Sequence, residues 1–161
     1  MKKLLIIVML ACVSMSLIAR INETKDECVK RYGQPTKEYN KILKEYAEDS
    51  DCQIFSKNGF VLVVEFYKDK ADRILFYKLD SGGNIYKFED DELFPLLDSN
   101  LGINWVTKIN GHIGMLFLSA NKLVEAFYSK KLRVFDIYTI ERNQRKNIEK
   151  IEETQKKMNG F

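Results

Sequence analysis

Residues 60–67 read Phe-Val-Leu-Val-Val-Glu-Phe-Tyr, and every second position (Phe60, Leu62, Val64, Phe66) is large and apolar. That two-residue period predicts a strand with one buried face. Residues 52–56 and 73–79 have the same β-branched and aromatic character. The intervening Lys57-Asn58-Gly59 and the polar residues 68–71 are turn-like, so the three strands form an antiparallel meander. Residues 113–119, 122–128 and 132–138 repeat the pattern around turns at Ala120-Asn121 and Ser129-Lys130-Lys131.

Helical spacing appears elsewhere. Thr24-Lys25-Asp26-Glu27 reads as a capping box that opens a short helix with Cys28, Val29 and Tyr32 on a narrow apolar face. Lys30 and Arg31 suit its C-terminal end. Gly33 supplies a left-handed stop and Pro35 forbids continuation. In 37–51, Tyr39, Ile42, Leu43 and Tyr46 fit a helix, but the segment is ambiguous. Residues 90–100 read as a second helix, capped by Asp90 or Asp91, with Leu93, Phe94, Leu96 and Leu97 as its apolar face; Trp105 is expected to plug the junction between this helix and the sheet. From 139 onward a thin stripe of Ile140, Ile148, Ile151 and Met158 runs through charged residues. This predicts a long, largely solvated helix over 139–161.

The expected fold is therefore α+β, with an antiparallel sheet in a domain over 20–138. Two helix-plus-three-strand-meander units, 22–79 and 90–138, share that sheet. Their likeness is one of element order, which suggests an internal duplication.

The first nineteen residues stand apart. Lys2 and Lys3 precede an unbroken apolar run over 4–11, and the small residues Ser14, Ser16 and Ala19 follow, the layout of a secretory signal peptide over 1–19. Export to the periplasm or beyond is the expectation. Met9-Leu10-Ala11-Cys12 offers an alternative, lipidation at Cys12, and membrane association follows only from that or from a retained leader. The whole chain has 26 basic and 23 acidic residues, a net charge of +3. The leader takes Lys2 and Lys3 and no acid, so the remainder is nearly neutral and does not point to nucleic acid.

Two cysteines follow the leader. A Cys28–Cys52 disulfide would close a loop of about 25 residues, worth roughly 3 kcal/mol on loop-entropy grounds; two separately buried thiols are the alternative. Two cysteines and the lone His112 fall short of a zinc site, so no metal and no cofactor is expected. The loop Asp80-Ser81-Gly82-Gly83-Asn84 lacks the Gly-Lys-Ser/Thr of a phosphate loop. His112, in a turn, and Ser119 or Ser129 lack the Gly-x-Ser-x-Gly elbow of a hydrolase. Glu65 and Asp136 each lie within an apolar strand and are the candidate carboxylates if the protein is an enzyme. Tyr67, Tyr77 and Tyr128 are candidate binding residues on an uncovered sheet face.

The stretch Ile-Asn-Glu-Thr-Lys-Asp-Glu-Cys-Val-Lys-Arg-Tyr-Gly-Gln-Pro over 21–35, followed by three strands, resembles the opening of small exported β-barrel-assembly lipoproteins of the BamE (SmpA/OmlA) type. Thr24, Val29, Tyr32, Gly33 and Pro35 carry the likeness; Asn22 stands where that family usually has glycine. The doubled arrangement is similar to the tandem architecture of β-lactamase inhibitory proteins, and the whole resembles small exported bacterial proteins of uncharacterised families. The resemblance implies an envelope role. The functional expectation is an exported, non-enzymatic protein that binds another protein or an envelope component through its sheet, with an envelope enzyme using Glu65 or Asp136, or a secreted inhibitor, as alternatives.

Overall fold

The computed structural model describes residues 20–36, 43–57, 59–89, 92–93, 96–97, 105–119 and 123–159. The leader with Cys12, and residues 37–42 of the ambiguous 37–51 segment, lie outside the described residues. Helix α1 spans Lys25–Tyr32 and the one-turn helix α2 spans Lys44–Ala47. Strands β1 Cys52–Lys57, β2 Phe60–Tyr67 and β3 Lys70–Leu79 form the first meander, and β4 Ile85–Tyr86 pairs with the end of β3. Strands β5 Trp105–Asn110, β6 Gly114–Ser119, β7 Val124–Ser129 and β8 Val134–Thr139 form the second. Helix α3, Ile140–Asn159, follows β8 directly.

The fold is α+β, built on one antiparallel eight-stranded sheet of order β1-β2-β3-β8-β7-β6-β5. The last strand of each meander meets the other at the centre, where Arg73 faces Tyr138, Leu75 faces Asp136 and Tyr77 faces Val134. Two strands lay outside the expectation. β5 adds a fourth strand ahead of the three expected in the second meander, and its register shifts between Thr107 and Ile109, which breaks the two-residue period. β4 is too short to leave a period at all. Of the expected 90–100 helix, residues 92–93 and 96–97 are described and helical. Trp105 donates its indole N–H to Leu97 O at 2.8 Å, so it does join that segment to the sheet.

Strand alternation divides the apolar residues between two faces. The first face carries Phe55, Leu62, Val64, Phe76, Phe117 and Phe135, and it is covered by Ile21, Cys28 and Tyr32 of the N-terminal segment and by Leu93, Leu96 and Leu97. Four of its phenylalanines are fully buried, each worth roughly 1.5–3 kcal/mol of transfer free energy. The second face carries a smaller cluster in which Leu43 covers Ile54, Val61, Val63 and Leu75. Thus Val61 and Val63 are buried as deeply as their alternation partners. The first meander is apolar on both sides.

Local chemistry fixes the joints. Thr24 Oγ1 accepts from Glu27 N at 3.2 Å, and the Glu27 carboxylate accepts from Thr24 N at 2.8 Å, completing the capping box. Gly33 ends α1 with φ 87° and ψ −169°. This is the extended positive-φ region open essentially to glycine alone, not the left-handed helical stop expected. The β2–β3 turn has Lys68 at φ 49° and Asp69 at φ 61°, the two-positive-φ geometry of a type I′ hairpin that matches strand twist. Beyond it, Glu65 pairs with Arg73 and Phe66 with Ala71, leaving Asp72 as the extra residue of a bulge.

Candidate binding cleft

On the second face, β2 contributes Glu65; β3 contributes Arg73, Leu75 and Tyr77; β8 contributes Val134 and Asp136; and β7 contributes Phe127 and Ser129. Cross-strand register brings them together, with Leu75 opposite Asp136 and Asp136 opposite Phe127. Above the sheet, Tyr46 of α2 and Ile85 of β4 stand as walls. They bound an open cleft of about 650 Å³, within the usual range for ligand sites. Its floor is apolar, formed by Leu75, Val134 and Phe127. One end is ionic. The other is the β7–β8 turn, which brings Lys131, Leu132 and Arg133 to the rim.

The ionic end is a chain of paired charges. Arg73 donates Nε to Asp136 Oδ1 at 2.9 Å and Nη2 to Asp136 Oδ2 at 2.8 Å, and it donates Nη1 to Glu65 Oε1 at 2.7 Å. Arg142 of α3 donates Nε and Nη2 to Glu65 Oε2 at 3.1 and 2.5 Å. All four side chains keep about a fifth or less of their surface exposed. Burial pushes the Asp136 carboxyl up, against the downward pull of Arg73. Burial alone would lower Arg73, but hydrogen bonds and charge from Asp136 and Glu65 overcome it and hold the guanidinium firmly protonated. Tyr77 is also pushed up, by burial first and then by the neighbouring Tyr46.

A second ionic contact secures α3. Thr139 Oγ1 accepts from Arg142 N at 3.1 Å, capping the helix, and donates to Asp72 Oδ1 at 2.5 Å. Arg145 pairs with Asp72 Oδ2, and its guanidinium lies 3.7 Å from the centre of the Tyr67 ring. The bulge residue Asp72 is therefore the anchor for the first turns of α3. Farther along, Ile148, Ile151 and Met158 are more than half exposed.

The three tyrosines expected to share a surface do not. Tyr77 lines the cleft. Tyr67 is 42% exposed but sits beneath Arg145. Tyr128 is buried on the first face, where its hydroxyl accepts from Phe88 N at 3.2 Å and its ring meets Phe88 edge-on. Of the two alternatives for the cysteines, the structure holds the thiols, since Cys28 and Cys52 are both free. Cys28 lies in the first-face core, whereas Cys52, opposite Glu65, points to the second. The sheet stands between them, so their Cβ vectors cannot meet a disulfide's needs. His112 is exposed in the β5–β6 turn. The hydroxyls of Ser119 and Ser129 accept from Val124 N and Leu132 N and so act as turn caps. Asp80 caps its own loop through Gly82 N and Asn84 N.

Among the described residues, no group of three or more His, Cys, Asp or Glu is placed to hold a metal ion. Among them, too, no helix is long and apolar enough to cross a membrane. Sequence reasoning singled out Glu65 and Asp136 but missed their partners Arg73 and Arg142. The available signal was parity: Arg73 shares its face with Leu75 and Tyr77, two and four residues on.

Compared with protein families, with curated proteins and with solved structures, the chain matches none.

Proposed function

We propose that this is an exported, non-enzymatic protein that binds another protein of the cell envelope through the cleft on the second face of its sheet. The observation that carries the reading is the cleft itself, an open space of about 650 Å³ with an apolar, partly aromatic floor and an exposed rim. Concave apolar sites with a few convergent polar groups are where partners bind. Export rests on the charged and apolar layout of residues 1–19. The acid/base alternative is the weaker reading. Burial pushes the Asp136 carboxyl up, yet each oxygen of Asp136 and Glu65 already accepts from a guanidinium.

Site-specific photo-crosslinking in the native cell tests the proposal. A photoreactive residue at Leu132, on the rim, should give a discrete adduct with one protein, and the same residue at Lys30 on α1 should not. Equal adduct patterns at both positions, or recovery of the chain in the cytoplasm, would overturn it.

A further inference from the structure

The charges around the cleft narrow the chemistry of the segment it binds. Lys131 and Arg133 are both exposed on the rim. Among the described residues, Asp136 is the one carboxylate in the lining, and it lies at the opposite end with both oxygens held by Arg73. A cationic ligand would meet like charge at the rim and a neutralised carboxylate at the far end. An anionic ligand meets two cations. The turn that carries them is fixed in advance: Arg133 N donates to Ser129 O at 2.8 Å, Leu132 N to Ser129 Oγ at 3.2 Å, and Lys130 N to Ile113 O at 3.1 Å. Arg133 holds φ 54°, a conformation that non-glycine residues seldom adopt. Its Nη1 donates to Ile85 O at 3.1 Å, which ties the guanidinium to the cleft wall. A cation held in place before binding, as Arg133 is, loses little freedom on contact. Leu132, 65% exposed between them, adds an apolar contact.

We infer that the cleft takes an acidic segment of a partner protein, with one aromatic or long aliphatic side chain seated against Tyr46, Tyr77 and Phe127 and flanking carboxylates paired with Lys131 and Arg133. The inference rests on the proposed binding role of the cleft. An open cleft on a sheet surface, with an apolar floor and charge only at its ends, suits a chain lying across it with a single anchor.

Peptide-display selection on the purified protein, followed by affinity measurement on synthetic copies of the winners, tests both layers. The expected winners carry Asp or Glu within a few residues of an aromatic or aliphatic anchor. Their affinity should fall about tenfold with Lys131→Glu plus Arg133→Glu, and several-fold when salt rises from about 50 to 300 mM. It should weaken with Phe127→Ala, or with Leu132→Ser should Phe127→Ala fail to fold, and stay unchanged with Lys30→Glu. Winners that need Phe127 or Leu132 but are basic or uncharged, and ignore the rim reversal, would overturn the acidic assignment while leaving the cleft as the binding site. Winners that bind every cleft variant equally, or a selection that yields none, would overturn both. Binding to anionic lipid vesicles that matches or exceeds binding to acidic peptides would also overturn the assignment.

Discussion

Replacing Arg73 with leucine tests whether the ionic end of the cleft is a structural clamp. Arg73 supplies both strong hydrogen bonds to Asp136 and one of the three that reach Glu65. Without it, Glu65 keeps Arg142, and Asp136 keeps only the more distant charge of Arg142. Removing one partner of a buried pair costs ~3–5 kcal/mol. Asp136 retains 17% exposure and is able to take up a proton, so a loss of about 3 kcal/mol near neutral pH is expected. The sign with pH follows from the raised Asp136 carboxyl. In the window between its unfolded and folded pKa the native state binds more protons than the unfolded one, so stability falls as pH rises through that window. Arg73→Leu removes the main downward pull and widens the window. The deficit should therefore be full at neutral pH and shrink as pH falls through the folded pKa of Asp136. Urea unfolding followed by Trp105 fluorescence and circular dichroism, near pH 7 and at about pH 4, measures this. Adding Asp136→Leu should restore most of the loss, because an apolar pair fits beside Leu75 and Phe127. A deficit below ~1 kcal/mol, or one unmoved by pH, would refute the clamp.

Four further outcomes are expected. Lys68→Asn with Asp69→Gly should raise stability by about 1 kcal/mol, seen as a higher urea midpoint at constant slope, because both positions already hold positive φ. Gly33→Ala should cost roughly 1–3 kcal/mol in the same assay; a Cβ there would meet nothing within 4 Å, so the cost is backbone strain alone. Thr139→Ala removes a helix cap and a hydrogen bond to Asp72, which should cost ~1–2 kcal/mol and speed amide exchange in the first turn of α3. Cys28 and Cys52, whose thiols burial pushes up to about 12, should resist alkylation near pH 7 in the native protein. Both should label after unfolding without reductant, and a cross-linked Cys28–Cys52 peptide would contradict their placement on opposite faces.

The meanders were legible because their turns are short and their periods clean. Phe60, Leu62, Val64 and Phe66 share a face as their spacing requires, and Phe66 stays there because the bulge falls on the partner strand. The other face was not legible. Burial of Val61 and Val63 depends on Leu43, the residue just before a one-turn helix whose segment carries no decisive pattern. β5 escaped for a related reason. It is an edge strand whose register shift disrupts alternation, and Val106 and Ile109, which would otherwise mark a buried face, are 60% and 58% exposed.

The site was harder to read than the fold because it is built from pairings distant in sequence. Asp136 and Arg73 are 63 residues apart, and they meet only because the two meanders join through β3 and β8. No local signal selects that join over pairing through β1 and β6. Yet a buried carboxylate demands a cation or a hydrogen-bond donor on its own face. Glu65 and Asp136, each within an apolar strand, therefore call for basic partners wherever the strands end up in the sheet. Arg73, the one arginine in the first meander, satisfies both. The tyrosines failed for the complementary reason: an aromatic residue is at home on either face, so composition left their orientation free. Tyr128 followed strand parity into the first-face core, while Tyr77 followed it into the cleft.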